Sequence, residues 1–153
     1  MAIFVRKRSD MTLERDIQQT SFRDDYQKAF LNLLVTSYYF TNQLNEFFKP
    51  HDITRQQYNV LRILRGQYPN PATVQLIRER MIDKMSDASR IVERLRVKGY
   101  LHREGSTTDK RTVRVTITQQ GLNLLENLDP KIIALEKPFR ALDQEQIRAF
   151  NAL

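Results

Sequence analysis

The segment between residues 84 and 118 combines an amphipathic basic helix with a short hairpin that follows it directly. Gly99 is a typical helix stop, and residues 112–118, after a polar tip, alternate apolar and polar side chains as in a strand. Asp109, Lys110 and Arg111 lie at that tip. A basic helix followed by a charged hairpin is well suited to binding a duplex nucleic acid.

The same part of the chain carries most of the positive charge. Residues 78–114 hold eleven lysine and arginine residues against six acidic ones, which accounts for five of the seven net positive charges. Affinity for a polyanion comes mostly from Lys and Arg displacing condensed counterions. Such a concentrated excess therefore indicates a phosphate backbone as the partner.

The composition excludes several other classes of protein. With no cysteine among 153 residues, disulfide frameworks and thiolate metal sites are impossible. His51 and His102 are far apart in sequence, so we predict no metal site and no cofactor. No glycine-rich phosphate loop or nucleophile elbow occurs, which indicates no enzyme and no catalytic residue. No apolar run suits a signal peptide or a membrane span, so we expect a soluble, cytoplasmic, nucleoid-associated protein without a membrane partner.

The N-terminal third of the chain contains one long predicted helix. Residues 1–20 are polar and without period, so we predict a loose arm. Apolar side chains then recur every three or four residues, which predicts a helix from an N-cap at Ser21 to Lys49, ended by Pro50. Further apolar residues fall outside the main stripe of this helix. A partner subunit is needed to cover them, which predicts a homodimer.

The remaining pattern is that of a helix-turn-helix with a wing. A capping box at residues 54–57 opens one helix, and residues 72–81 predict the next. Asp83 is the predicted cap of the basic helix, and residues 100–104 and 112–118 are the predicted strands of a two-stranded wing. Thr118 is expected to cap a further helix. Asp129-Pro130 predicts a kink or restart in this helix. Pro138 predicts an interruption, and a last helix is expected to begin near Asp143.

Four motifs give the chain its resemblance to the MarR family of winged helix-turn-helix regulators. They are ITRQQYNVLRIL, SRIVERLRVKGYLHR, DKR and ITQQG, and the match is strongest over residues 53–121. The resemblance implies a mainly α fold with a small β-wing, in which residues 21–153 form one MarR-type domain. Residues 21–50 and 119–153 would be its dimerisation helices, and residues 53–118 its DNA-binding lobe. Two features depart from the family: the turn lacks glycine and the final helix is short.

The basic helix has a packing side and a free side. Ala88, Ile91, Val92 and Leu95 cluster on the packing side. Base edges in a major groove are contacted mainly from the N-terminal part of a recognition helix. The free polar residues that we predict to bind DNA are Lys84, Ser86, Asp87, Ser89, Arg90 and Arg94. The guanidinium fork of Arg90 suits either guanine or phosphate, and the ordinary alternative for the whole set is a solvated charged face.

The wing tip supplies the second set of candidates. The resemblance implies that Arg111 enters a minor groove, which is narrow and strongly negative in A·T-rich DNA. Asp109 repels phosphate, so its predicted role is to brace the tip by pairing with a nearby arginine. Thr107, Thr108 and Lys110 are candidates for phosphate contact. Without the preceding helix, simple solubility would explain these turn residues.

Aromatic residues concentrate in the long N-terminal helix. The resemblance implies a small aromatic effector bound between dimerisation helices and DNA-binding lobe, with Tyr26, Phe30, Tyr38 and Tyr39 as candidate pocket residues. Core and dimer packing is the alternative explanation for these side chains.

These observations predict a sequence-specific transcriptional regulator of double-stranded DNA. It would act as a homodimer on a pseudo-palindromic operator, usually as a repressor, and could be released by the effector. The alternative is a basic winged-helix module for protein assembly or RNA binding, without operator preference. An enzyme built on Asp24 and Asp25 is a weaker rival, because no positioned base or nucleophile accompanies them.

Overall fold

The computed structural model describes residues 12–105 and 113–152. Within it the chain divides into two compact units, with the boundary between Ile53 and Thr54. The first unit is helical, and in the described residues the second joins a three-stranded sheet to five α-helices and one 3-10 segment. The predicted fold class, mainly α with a small β-wing in a winged helix-turn-helix, is confirmed.

The first unit consists of the short helix α1 (Leu13–Asp16), the long helix α2 (Asp25–Phe48) and a 3-10 turn (Lys49–His51). Leu13 is buried, and Glu14 forms an ion pair of 2.7 Å with Lys28 of α2. The part of the predicted loose arm that the structure describes therefore includes an anchored helical turn.

Helix α2 begins later than the sequence indicated. Its N-cap is Asp24, which accepts a hydrogen bond of 2.7 Å from the Gln27 N–H, while Ser21 lies outside the helix. The Gln27 side chain in turn accepts from the Arg23 N–H at 2.7 Å, so the start is fixed from both directions. At the other end Pro50 sits within the 3-10 turn, near its start, where a missing N–H is tolerated.

Several large apolar side chains of α2 are exposed. Phe48 is the one buried residue of this helix. Side chains that are at least half exposed extend over its first three to four turns: Tyr26, Phe30, Leu33, Leu34 and Tyr38. Apolar side chains of this helix therefore remain exposed, although those that the sequence placed outside the main stripe are mostly half-buried.

The second unit opens with helix α3 (Arg55–Arg65), followed by strand β1 (Ala72–Thr73) and helices α4 (Val74–Arg80) and α5 (Ala88–Val97). The predicted capping box is present, because Thr54 accepts from the Gln57 N–H and Gln57 from the Thr54 N–H. Strands β2 (Leu101–Gly105) and β3 (Val113–Ile117) and helix α6 (Gln119–Ile133) follow. All these elements contribute to one core: Val60, Leu61, Leu64, Ala72, Ile77, Met81, Ala88, Val92, Leu95, Leu101, Val115, Ile117 and Leu125.

The sheet has three strands, in the order β1-β3-β2, and both pairings are antiparallel. The prediction that residues 72–73 are helical is wrong. The predicted two-stranded hairpin is present as β2 and β3, and β1 adds a third strand beside β3. Ala72 pairs with Val115 and is buried, so its place is decided by a distant partner. Helix α4 starts only after Thr73, whose side chain accepts from the Leu76 N–H at 3.1 Å.

Helix α6 begins at the predicted cap, Thr118, which accepts from the Gly121 N–H at 3.1 Å. It continues through Pro130, where the sequence predicted a kink or restart. Arg65 of α3 donates two hydrogen bonds to Asp129, of 2.6 and 3.4 Å, and so supports the helix beside the proline. A 3-10 segment (Ala134–Ala141) then contains Pro138, and α7 (Gln144–Ala152) ends the described chain.

The last helix begins next to Asp143, as predicted, and the Asp143 carboxylate accepts from the Gln146 N–H at 2.8 Å. Among the helices in residues 12–105 and 113–152, we find none with the length and apolar character needed to cross a bilayer.

Candidate nucleic-acid interface

Helices α4 and α5 are joined by a turn, residues 81–87, that decides where the second helix starts. Asp87, rather than the predicted Asp83, is the N-cap: its carboxylate accepts from the Arg90 N–H at 3.0 Å. The first helical residue is therefore Ala88. Lys84 and Ser86 lie in the turn before the helix, where the sequence placed them on the helix itself.

Asp83 instead anchors the turn to the first turn of α3. One carboxylate oxygen accepts from the Met85 N–H at 3.2 Å, and the other accepts from Gln56 Nε2 at 3.3 Å. The Arg55 guanidinium lies 3.7 Å from the same oxygen. Hydrogen bonds from Ser86 and then from Gln56 hold the pKa of the Asp83 carboxyl below its usual range. The carboxylate is therefore ionised at neutral pH.

Two more bonds fix the same turn. The Ile82 N–H donates to the side-chain oxygen of Asn59 on α3 at 3.0 Å. The Lys84 ammonium donates to the Glu79 carbonyl oxygen at the end of α4. The turn is thus held by side chains and backbone of its two neighbouring helices, which gives the following helix a defined entry.

Helix α5 has a buried and an exposed face. Ala88, Val92 and Leu95 are buried in the core, as predicted. Ser89, Arg90 and Arg94 are exposed. In the part of the chain that the structure describes, the Arg90 and Arg94 guanidinium groups have no hydrogen bond or ion pair. Two cationic side chains are therefore available on the outer face of this helix.

Glu93, on the same helix, engages two other arginines. It accepts three hydrogen bonds of 2.8 to 3.2 Å from Arg96, and one of 3.4 Å from Arg103 on β2. Hydrogen bonds from Arg96, and to a lesser degree from Arg103, hold the pKa of the Glu93 carboxyl below its usual range. Glu93 thus neutralises part of the basic surface and connects α5 to the wing.

This role of Glu93 was not predicted from the sequence. The spacing of Glu93 and Arg96, three residues on a helix, is a signal that could have identified their pair. The contact with Arg103 depends on how the wing folds back beside α5, so no local pattern reveals it.

The base of the wing is fixed to both neighbouring helices. Gly99 adopts φ 77°, and the Tyr100 N–H donates to the Leu95 carbonyl oxygen at 3.0 Å, which closes α5 with a Schellman motif. The Thr118 hydroxyl donates to the Gly99 carbonyl oxygen at 2.8 Å. The five-residue strands then pair in register from Leu101 with Ile117 to Gly105 with Val113.

The wing tip lies outside the described residues. The predictions made for Thr107, Thr108, Asp109, Lys110 and Arg111 therefore stay predictions. At the outer end of the described strands, Arg114 is exposed and paired in register with Glu104.

The four candidate pocket aromatics all lie on α2. Tyr26, Phe30 and Tyr38 are exposed, whereas Tyr39 is half-buried and its hydroxyl accepts a hydrogen bond from Gln43. In the second unit, an open cleft of about 340 Å³ separates α5 from the wing strands and the start of α4. It is lined by Thr73, Val74, Gln75, Ser89, Val92, Arg103 and Val113.

Comparison with known proteins identifies close similarities. The sequence model of the MarR family matches residues 51–112. An HTH-type transcriptional regulator of Bacillus cereus (strain ZK / E33L) is 33% identical over 104 residues, which are 65% of this chain and 67% of that protein.

Solved structures share the fold. The MarR transcription factor of Planctomyces limnophilus is 28% identical with a TM-score of 0.68, over 87% of this chain and 100% of that one. Bordetella bronchiseptica BpsR, whose DNA binding is regulated by 6-hydroxynicotinic acid, is 21% identical with a TM-score of 0.72, over 87% and 94% of the two chains.

Proposed function

Because this chain belongs to the MarR family of transcriptional regulators, we propose that it binds a double-stranded DNA operator sequence-specifically and as a homodimer. The observation that carries the proposal is the outer face of α5, where Ser89, Arg90 and Arg94 are exposed. The opposite face of this helix is packed in the core and both of its ends are fixed. A rigid helix with a free polar face is what major-groove recognition requires.

Each residue of this interface has a distinct proposed task. Arg90, in the first turn of α5, is positioned to pair with a guanine edge, and Arg94, one turn later, with a phosphate. Asp87 acts indirectly, because its carboxylate is occupied in capping the helix. Lys84 and Ser86 flank the groove from the turn. Arg96 and Arg103 contribute less, since Glu93 engages both.

The wing completes the proposed interface. Its base is held between α5 and α6. We assign Arg111 to the minor groove beside the major-groove site, with Thr107, Thr108 and Lys110 near phosphates and Asp109 bracing the tip. This arrangement adds charge without adding much sequence preference.

The homodimer is supported by the uncovered apolar surface of α2. This 24-residue helix is about 36 Å long. Tyr26 is 86% exposed and Tyr38 71% exposed, and large exposed apolar patches mark interaction sites. We propose that residues 21–50 and 119–153 pair two copies, which places two lobes of residues 53–118 on half-sites about 34–36 Å apart.

Repression released by a small aromatic effector is the proposed mode of regulation. Regulation of BpsR by 6-hydroxynicotinic acid is a precedent within the fold. Tyr26, Phe30, Tyr38 and Tyr39 are the candidate contacts. An effector would lower operator affinity if it binds more tightly to the conformation in which the spacing of the two recognition helices does not match the half-sites. The loss of operator affinity is limited by the difference in effector affinity between the two conformations.

Footprinting on the intergenic DNA upstream of the protein's own operon tests the proposal. We expect a protected pseudo-palindrome, and sedimentation should show a dimer that binds it. Equal affinity for any duplex, or a preference for RNA, would favour the alternative of a basic winged-helix module without operator specificity.

A further inference from the structure

Two large apolar side chains lie in solvent beside the recognition helix. Ile82 is 82% exposed and Met85 is 94% exposed, and both belong to the turn between α4 and α5. One exposed apolar residue is ordinary on a protein surface. Here, however, two occur within four residues, in a turn whose other members include Asp83, Lys84 and Ser86. The fold makes no use of either side chain for its core.

The exposure of Met85 is a fixed feature of the turn. Its N–H donates to Asp83, and Asp83 is in turn held by Gln56 of α3. On the other side of Asp83, the Ile82 N–H donates to Asn59. The backbone from Ile82 to Met85 is therefore tied to the scaffold, and the Met85 side chain is exposed.

Met85 also lies at the position that a bound duplex would approach. It precedes the N-cap Asp87 by two residues, and the N-terminal end of a recognition helix is the end that approaches base edges. Lys84 and Arg90 flank it with positive charge, which complements a phosphate backbone. The carboxylates of Asp83 and Asp87 accept hydrogen bonds from within the protein.

We propose that Met85 determines sequence preference by packing against the 5-methyl group of a thymine in the major groove. This inference rests on the proposed function and adds to it a residue outside the recognition helix. The thymine methyl is the apolar group that the major groove displays. An unbranched, polarizable thioether adapts its shape to such a contact. One T·A pair in each half-site would then be preferred through this contact.

The test is replacement of thymine by deoxyuridine, which removes the methyl group and keeps the base pair. Duplexes selected by the wild-type protein from a random pool supply the operator, and each thymine is replaced in turn in both half-sites. We expect one symmetric position at which wild-type affinity falls about fourfold per half-site, the effect of losing one buried methyl group.

Three variants assign that effect to a residue. Met85→Ala should bind the thymine operator several-fold more weakly and show no further loss with uracil at that position. Met85→Leu, which keeps an apolar side chain, should retain most of the uracil sensitivity. Val97→Ala is the matched control, since Val97 is 72% exposed but lies at the far end of α5.

Several results would overturn the inference. They are a wild-type protein that is indifferent to uracil everywhere, a Met85→Ala protein with the wild-type uracil profile, or loss of the uracil effect in Ile82→Ala instead. Complete loss of binding in Met85→Ala would also contradict it, because one methyl contact is too small. In each of these cases the wild-type protein still selects a sequence. A wild-type protein that selects no duplex would instead overturn the proposed function, and this inference with it.

Discussion

Gly121, in the first turn of α6, lies directly against the carbonyl oxygen of Tyr100 at the start of the wing. A Cβ at residue 121 would collide with that oxygen and would lie 2.7 Å from Ile117 Cγ1. The absent side chain therefore allows α6 to approach the base of the wing, where Thr118 also bonds to Gly99.

Gly121→Ala should accordingly destabilise the protein by about 1–3 kcal/mol, because the backbone of residue 100 cannot move aside without shifting the wing. Urea unfolding followed by circular dichroism measures this. Gly66→Ala is the control: a Cβ there has ordinary spacing, with its nearest atom at 3.5 Å, and φ is −68°. Similar losses in both variants would show that close packing at Gly121 is not the cause.

Glu93→Gln should strengthen binding to random duplex DNA and steepen its salt dependence. The carboxylate holds Arg96 and Arg103, and its removal frees up to two cations for phosphate. Fluorescence anisotropy against salt concentration gives the slope. Glu126→Gln makes the same charge change on an exposed position of α6. An equal increase in that control would indicate net charge alone.

The same substitution should change the pH dependence of stability. Since the folded-state pKa of Glu93 is lowered from 4.5, its ionisation stabilises the fold above that pH. This stabilisation is lost as the pH falls through the lower folded-state pKa. The difference in unfolding free energy between wild type and Glu93→Gln should therefore shrink on acidification from pH 7 towards pH 3. A constant difference over that range would argue against the ion pairs.

Arg90→Ala and Arg111→Ala should separate the two proposed kinds of DNA contact. Loss of a base contact by Arg90 should cost about 1–3 kcal/mol on the operator and relax preference at one base pair. Loss of a wing contact by Arg111 should lower the salt slope by about one, with smaller change in preference. Both variants are measured on operator and random duplex. Parallel losses on both duplexes in both variants would contradict the assigned roles.

Leu33→Glu should convert the proposed dimer to monomers. Leu33 is 63% exposed on α2, so a charge there leaves the folded chain intact but is costly inside an apolar interface. Sedimentation velocity distinguishes the two species, and Asn42→Glu, at an exposed polar position of the same helix, is the control. If the wild-type protein sediments as a monomer, the homodimer itself must be abandoned.

Features that depend on neighbours in sequence could be predicted. The capping box at Thr54, the caps at Thr118 and Asp143 and the stop at Gly99 involve residues within a few positions of each other. The alternation in β3 also revealed its buried face, since Val115 and Ile117 are in the core. These local rules were sufficient for the helix-turn-helix and its wing.

Features that depend on residues distant in the sequence could not be predicted. Asp83 and Asp87 carry the same local capping signal, and the choice between them follows from Gln56, 27 residues before Asp83. Strand β1 is only two residues long and exists because Val115 and Arg114 pair with it. Of the predicted DNA-binding residues, Ser89, Arg90 and Arg94 lie on α5, Asp87 is its N-cap, and Lys84 and Ser86 precede it.

The turn between α4 and α5 is anchored through Gln56 and Asn59, and this has an evolutionary consequence. Those bonds end on Asp83 and on the backbone of Ile82, so the outward-facing side chains at positions 85, 89 and 90 take no part in maintaining them. If these three positions contact DNA as proposed, mutations there would alter which promoters are recognised without eroding the scaffold. Descendants of such a gene could acquire new targets at little cost to folding.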